Sequence, residues 1–228
     1  MREIVLDTET TGFDPKTGDR IVEIGAVELI GHVATGKTFH KYINPERGMP
    51  QEAFEVHGLG DDFLRDKPKF AQVGQAFLDF VGDSKMIIHN AAFDIKFLNF
   101  ELGKMGLRQL PWEQAIDTLA MARKKFPGSP SSLDALCRRF GINNDARTLH
   151  GALLDSEILA EVYLELIGGK QPDFGLSTRA EPKAGDINTE WAPRPRATAL
   201  PSRLTEKENA AHAEFVGTLG GDAVWLKT

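Results

Sequence analysis

Three apolar runs open the chain. "REIVLD", "RIVEIGAVEL" and "GKTFHKYIN" are short, rich in β-branched and aromatic residues, and predict successive β-strands. The intervening "DPKTGD" and "IGHVATG" carry the Gly, Asp and Thr of turns. Beyond residue 68 the period lengthens. "KFAQVGQAFLDFVG" sets Phe70, Val73, Phe77 and Phe80 at helical spacing. A short strand, "KMIIHN", leads straight into a helix, "AAFDIKFLNFELGKMG", with Phe93, Phe97 and Phe100 on one face. "QAIDTLAMARKKF" holds a shorter strand and helix. Two helices follow: "SSLDALCRRFG", opened by a Ser cap and closed by Gly141, and "GALLDSEILAEVYLELIGG", closed by Gly168 and Gly169. A three-strand meander followed by alternating strands and helices predicts an α/β fold, a mixed sheet flanked by helices.

After Gly169 the pattern stops. Residues 170–201 hold Pro172, Pro182, Pro193, Pro195 and Pro201 and almost no apolar periodicity, which predicts a flexible linker over 169–203. About 30 such residues reach roughly 30 Å on average. In the last stretch, 204–228, Thr205 and Glu208 have capping-box spacing and predict a short helix. That stretch is too short to bury Phe215, Val216, Val224 and Trp225 by itself. It either returns to the main domain, 1–168, or docks on another protein; docking is the better use of so long a tether.

Composition narrows the class. With 41% hydrophobic and 26% charged residues, the chain is ordinary for a soluble globular protein. No apolar run approaches the ~20 residues of a membrane span, and the first residues lack a signal-peptide pattern, so a cytoplasmic location is expected. Cys137 is the one cysteine; it can form no internal disulfide and lacks thiolate partners for a metal. Net charge is −6, and the whole deficit lies before residue 169, where 19 Lys and Arg face 25 Asp and Glu. Strong unaided nucleic-acid binding usually needs the opposite sign. If the substrate is nucleic acid, a partner must deliver it.

The candidate chemistry is carboxylate chemistry. In "LDTETTG", Asp7 and Glu9 sit one residue apart at a strand end, so they share a face. Two like charges held together call for a cation, and all-oxygen ligation suits magnesium or manganese; a solvated acidic turn would read the same way. "HNAAFDIKF" places Asp94 in the first turn of a helix that follows a strand, where the helix dipole alone would also favour it. "LHGALLDSE" places Asp155 near the start of another helix and His150 five residues earlier, a position open equally to an ordinary loop histidine.

Taken jointly, Asp-x-Glu-x-Thr-Gly, Asn-x-x-x-Asp and His-x-Ala-x-x-Asp occur in that order. This resembles the DEDDh family of 3′→5′ exonucleases, which have a ribonuclease-H-like fold. The sister branch, with Tyr-x-x-x-Asp in the third motif, is excluded by Gly151 four residues before Asp155. "IVLDTETTG", "EAFEVHGL", "MIIHNAAFDI", "SLDALCRRF" and "RTLHGALLDSEILAEVYL" narrow the resemblance, over residues 2–168, to the proofreading nucleases of bacterial replicative polymerases.

The resemblance implies two divalent cations, Mg2+ or Mn2+, held by Asp7, Glu9, Asp155 and Asp94, with His150 as general base. Asp7, Thr8, Glu9, Thr10, Val56, His57 and Asp155 would meet the 3′ end of single-stranded or frayed DNA. His89 and Asn90 would buttress the helix of Asp94. It further implies a bacterial, replisome-associated partner, the polymerase catalytic subunit, reached through Phe215 and Trp225. "QPDFGL" is similar to peptides that bind the sliding clamp, through Gln171, Phe174 and Leu176. A free-standing DNA or RNA trimming exonuclease and a non-catalytic adaptor are the competing readings; the tethered tail speaks against the first, and the intact set of chemical residues against the second.

Overall fold

A computed structural model describes residues 1–145, 149–169 and 204–219. The three opening runs form β1 (Arg2–Thr10), β2 (Ile21–Ile30) and β3 (Val33–Tyr42). Next come α1 (Gln51–His57), α2 (Asp61–Leu64), α3 (Phe70–Val81), β4 (Lys85–Ile88) and α4 (Ala91–Lys104). β5 (Ala115–Asp117), α5 (Thr118–Lys125), α6 (Leu133–Phe140) and α7 (Ala152–Leu166) complete this part, and α8 (Glu206–Thr218) lies in the tail. The sheet runs β3-β2-β1-β4-β5, antiparallel through the meander and parallel from β1 to β4 to β5. The chain divides into two compact units, Met1–Leu176 and Ser177–Thr228, the second containing α8.

Both faces of the sheet are covered. On one side Ile4, Leu6, Ile24, Ala26, Met86 and Ile88 pack with Phe70 and Phe77 of α3 and Phe97 and Leu98 of α4. On the other, Val5, Val27, Leu29 and Ile87 meet α5, α6 and α7. Burying one such side chain contributes about 1.5–3 kcal/mol. Cys137 is buried in the second layer. Among the described residues no helix is long and apolar enough to cross a membrane.

One expectation needs correction. The turn before β3 is not the whole of "IGHVATG". It is Gly31 and His32 alone, with φ of 58° and 67°, and the strand starts at Val33. Positive φ at both centres matches the right-handed twist of the flanking strands, so the hairpin closes in two residues. α1 and α2 were not foreseen at all. The expected caps elsewhere are present: Ser132 Oγ accepts the Ala135 N–H at 3.3 Å, Gly141 closes α6 at φ 68°, and Thr205 and Glu208 cap α8 reciprocally. Gln171, Phe174, Leu176 and Trp225 lie outside the described residues, as does most of the stretch read as a linker.

Candidate active site at the end of the first strand

Alternation along β1 sends Asp7 and Glu9 to the side of Val5, the α7 side, and Thr8 to the side of Leu6, the α4 side. β4 runs parallel to β1 and passes within three residues into α4, so the first turn of α4 lies at the same sheet edge. Asn90 makes that turn in the left-handed region, φ 70°, a conformation Asn tolerates. Its N–H reaches Asp117 Oδ1 at 3.3 Å, and His89 Nδ1 lies 3.0 Å from Thr118 Oγ1. Both residues tie the start of α4 to its neighbour. Further along α4, the Arg20 guanidinium grips Glu101 with Nε at 2.5 Å and Nη2 at 3.0 Å.

Asp94 sits in the first turn of α4, 3% exposed. Thr8 Oγ1 donates to its Oδ1 at 2.7 Å. Burial pushes this carboxyl up to about 7; the bonds from Thr8 pull the other way, and the charge of Asp117 adds to the rise. A buried acid in this condition is one that a nearby cation would relieve.

The opposite side gathers differently. Asp155 lies buried in the first turn of α7, and His150 stands just before Gly151, which precedes the helix. His150 Nδ1 is 3.4 Å from Asp155 Oδ2, with the imidazole 47% exposed. The loop is pinned from α1, where Val56 O accepts the His150 N–H at 3.1 Å. Ligating atoms of Glu9, His150 and Asp155 all lie within 4.8 Å of one another, the spacing of a cation site. His150 was expected beside such a site; its ring stands among the ligating atoms. Asp7, half-buried, shares this side of β1 with Glu9.

Other expected residues are placed as follows. Thr10 Oγ1 donates to Gly12 O at 2.6 Å, so the hydroxyls of Thr8 and Thr10 both serve internal bonds. Val56 is 45% exposed, whereas His57 is buried, its Nδ1 accepting the Leu59 N–H at 3.0 Å. Burial lowers the pKa of His57, the Thr10 backbone partly offsets this, and His150 pushes it further down. The ring of His57 is therefore packed rather than open to a base. Phe215 is exposed on α8. A buried acid beside these residues escapes the sequence reading: Glu23, the β2 partner of Glu9, which touches the first turn of α7. A glutamate interrupting the apolar run "RIVEIGAVEL" was the signal for it.

Residues 4–163 match the family described as Exonuclease, RNase_T. A solved exonuclease X in complex with 5′-overhanging duplex DNA is 27% identical, with a TM-score of 0.58, over 72% of this chain and 90% of that one. The nuclease domain of 3′hExo, a DEDDh family member bound to rAMP, shares the fold at 22% identity and TM-score 0.62, over 73% of this chain and 91% of that one. Fold and site thus define a ribonuclease-H-like exonuclease. The DNA polymerase III subunit epsilon of Rickettsia felis is 48% identical over 222 residues, 96% of this chain and 97% of the relative. The chain belongs to the exonuclease family and, within it, to the epsilon subunits, the metal-dependent 3′→5′ nucleases that proofread.

Proposed function

We propose that the chain hydrolyses the 3′-terminal phosphodiester of DNA, releasing nucleoside 5′-monophosphates, at a centre made by Asp7, Glu9, Asp94, His150 and Asp155. The observation that carries this reading is the convergence of Glu9, His150 and Asp155 within 4.8 Å on one side of β1, with the buried Asp94 on the other. The donors fit hard divalent cations: carboxylate oxygens dominate, and burial holds the Asp94 carboxyl up to about 7. Asp7, Glu9 and Asp155 would hold one Mg2+ or Mn2+, and Asp7 with Asp94 a second. Bound there, such ions neutralise phosphate charge and make water more acidic.

The remaining work falls to the protein. The half-exposed His150 takes the proton of the attacking water as the bond from phosphorus to the 3′-oxygen breaks, solvent protonates that leaving oxygen, and Asp155 orients the ring. Thr8 keeps Asp94 aimed at the sheet edge. Val56, exposed and bonded through its carbonyl to the His150 loop, wedges against the terminal bases, with His57 buried next to it in the chain. Thr8 and Thr10, at the end of β1 beside the acids, meet the terminal nucleotide. A site that takes unstacked bases favours frayed ends, and mispaired ends fray most readily.

The relatives are named as subunits of DNA polymerase III, and we carry that partnership over. Residues 1–168 form the nuclease, 169–203 the tether, and 204–228 the segment that docks on the polymerase, with Phe215 and Trp225 as anchors. Gln171, Phe174 and Leu176 contact the sliding clamp. The test is co-purification with the polymerase catalytic subunit, followed by digestion of matched and mismatched primers with and without chelator. Metal-dependent, stepwise release of 5′-monophosphates, faster from mismatched ends, supports the reading. Removal of 204–228 should abolish co-purification and leave cleavage of short oligonucleotides intact. Cleavage that survives chelation, or products carrying a 3′-phosphate, contradicts the proposed chemistry.

A further inference from the structure

A helix that begins after glycine has no side-chain oxygen of its own for the orphan N–H groups of its first turn. α7 begins this way, with Gly151 ahead of Ala152 and no local cap. The cap comes from another strand. Glu23 on β2, 3% exposed, accepts the Ala152 N–H through Oε2 at 3.2 Å. Its Oε1 lies 2.7 Å from His40 Nε2 on β3.

Two residues along the same face, Gly25 completes the seat. A Cβ there would stand 2.1 Å from the Ala152 carbonyl carbon and 2.2 Å from Leu153 N, so only glycine lets the helix lie this close. Ser156 Oγ bonds Gly25 O at 3.0 Å and locks the turn down. Strand register gives this seat its meaning: Glu23 is the Cα partner of Glu9, and Gly25 that of Asp7. The β2 positions that hold the first turn of α7 are thus the ones paired with the β1 acids. A carboxylate directly opposite another on a sheet face is repulsive. Here the positive end of α7 offsets it.

We propose that Glu23 is a positioning residue for the hydrolysis. It clamps the first turn of α7 to β2 and so sets the separation between Glu9 and the His150–Asp155 pair, while His40 aims its carboxylate. This rests on the reading of Glu9, His150 and Asp155 as the reacting centre.

The experiment compares full-length wild type with Glu23→Ala, Glu23→Gln and His150→Ala. Its readouts are steady-state cleavage of a single-stranded oligonucleotide in Mn2+, a thermal melt, and amide hydrogen exchange of the first turn of α7. In Glu23→Ala, exchange at Ala152 should rise by about tenfold or more. Its kcat should fall roughly 10–100-fold, with KM within about threefold of wild type. Glu23→Gln keeps an oxygen facing Ala152 and should restore slow exchange and most of kcat. Unchanged exchange in Glu23→Ala, a kcat within about twofold of wild type, or a Gln variant as impaired as the Ala variant would each overturn the proposal. If Glu23→Ala also lowers the melting temperature, the Gln variant still decides. Undiminished cleavage by His150→Ala would remove the reacting centre itself, and the positioning role with it. Loss of cleavage in His150→Ala beside an unaffected Glu23→Ala would remove the positioning role alone.

Discussion

The two sides of β1 treat their acids in opposite ways. Toward α4, Asp94 is sealed in, bonded to Thr8, and its carboxyl is held up to about 7 by burial. Toward α7, Glu9 and Asp155 share their space with an imidazole that is half in water. The difference follows from the layers. Only two residues separate α4 from β4, so its first turn goes straight into the apolar side, whereas α7 is preceded by a loop that leaves His150 at the surface. One side seals its carboxyl away from water, and the other keeps an imidazole in contact with solvent.

Substitutions can break this contrast in graded steps. On the open side, His150→Ala should lower kcat by ~10²–10⁴-fold and leave the thermal melt nearly unchanged, since the ring is half-exposed; oligonucleotide digestion beside a melt checks it. Gly25→Ala puts a Cβ into the backbone of α7 and should destabilise by about 1–3 kcal/mol, read by urea unfolding, with a matching loss of activity as Asp155 is displaced.

On the sealed side the effect depends on pH. The Asp94 carboxyl is raised from an ordinary 3.8 to about 7, so between those values the unfolded chain binds fewer protons than the folded one. Stability contributed by the neutral carboxyl is therefore full below about pH 4 and is lost as pH climbs to about 7. In chelator, Asp94→Asn should match wild type near pH 4 and melt higher at pH 8. Added Mn2+ should narrow that gap, because wild type can take an ion at Asp94 that the variant cannot. A gap independent of pH would contradict the burial argument. The smallest effect belongs to Thr8→Val, which removes one of several bonds to the buried Asp94 carboxyl and should cost about 1 kcal/mol in chelator, measured by the same unfolding curves.

Much of this was legible in the sequence because it is local. Apolar periodicity marks β1, β2, α3, α4 and α7, and the caps at Ser132, Gly141 and Thr205 are written in neighbouring residues. The motif spacing placed Asp7 and Glu9 on the first strand, Asp94 and Asp155 in first turns and His150 just ahead of a helix, where the structure has them. What escaped is set by distant parts of the chain. α1 and α2 are seven and four residues long, too short to form without tertiary support. The trans cap of α7 needs the register of β2 against β1, since Glu23 lies 129 residues from Ala152. The burial of His57 depends likewise on packing that no short window shows.

The most direct test is diffraction at the manganese absorption edge, from crystals grown with Mn2+ and a nucleoside 5′-monophosphate. Two anomalous peaks about 3.5–4 Å apart, ringed by Asp7, Glu9, Asp94 and Asp155 with His150 facing the phosphate, are predicted. Peaks elsewhere, or a nucleotide bound away from the end of β1, would contradict the account.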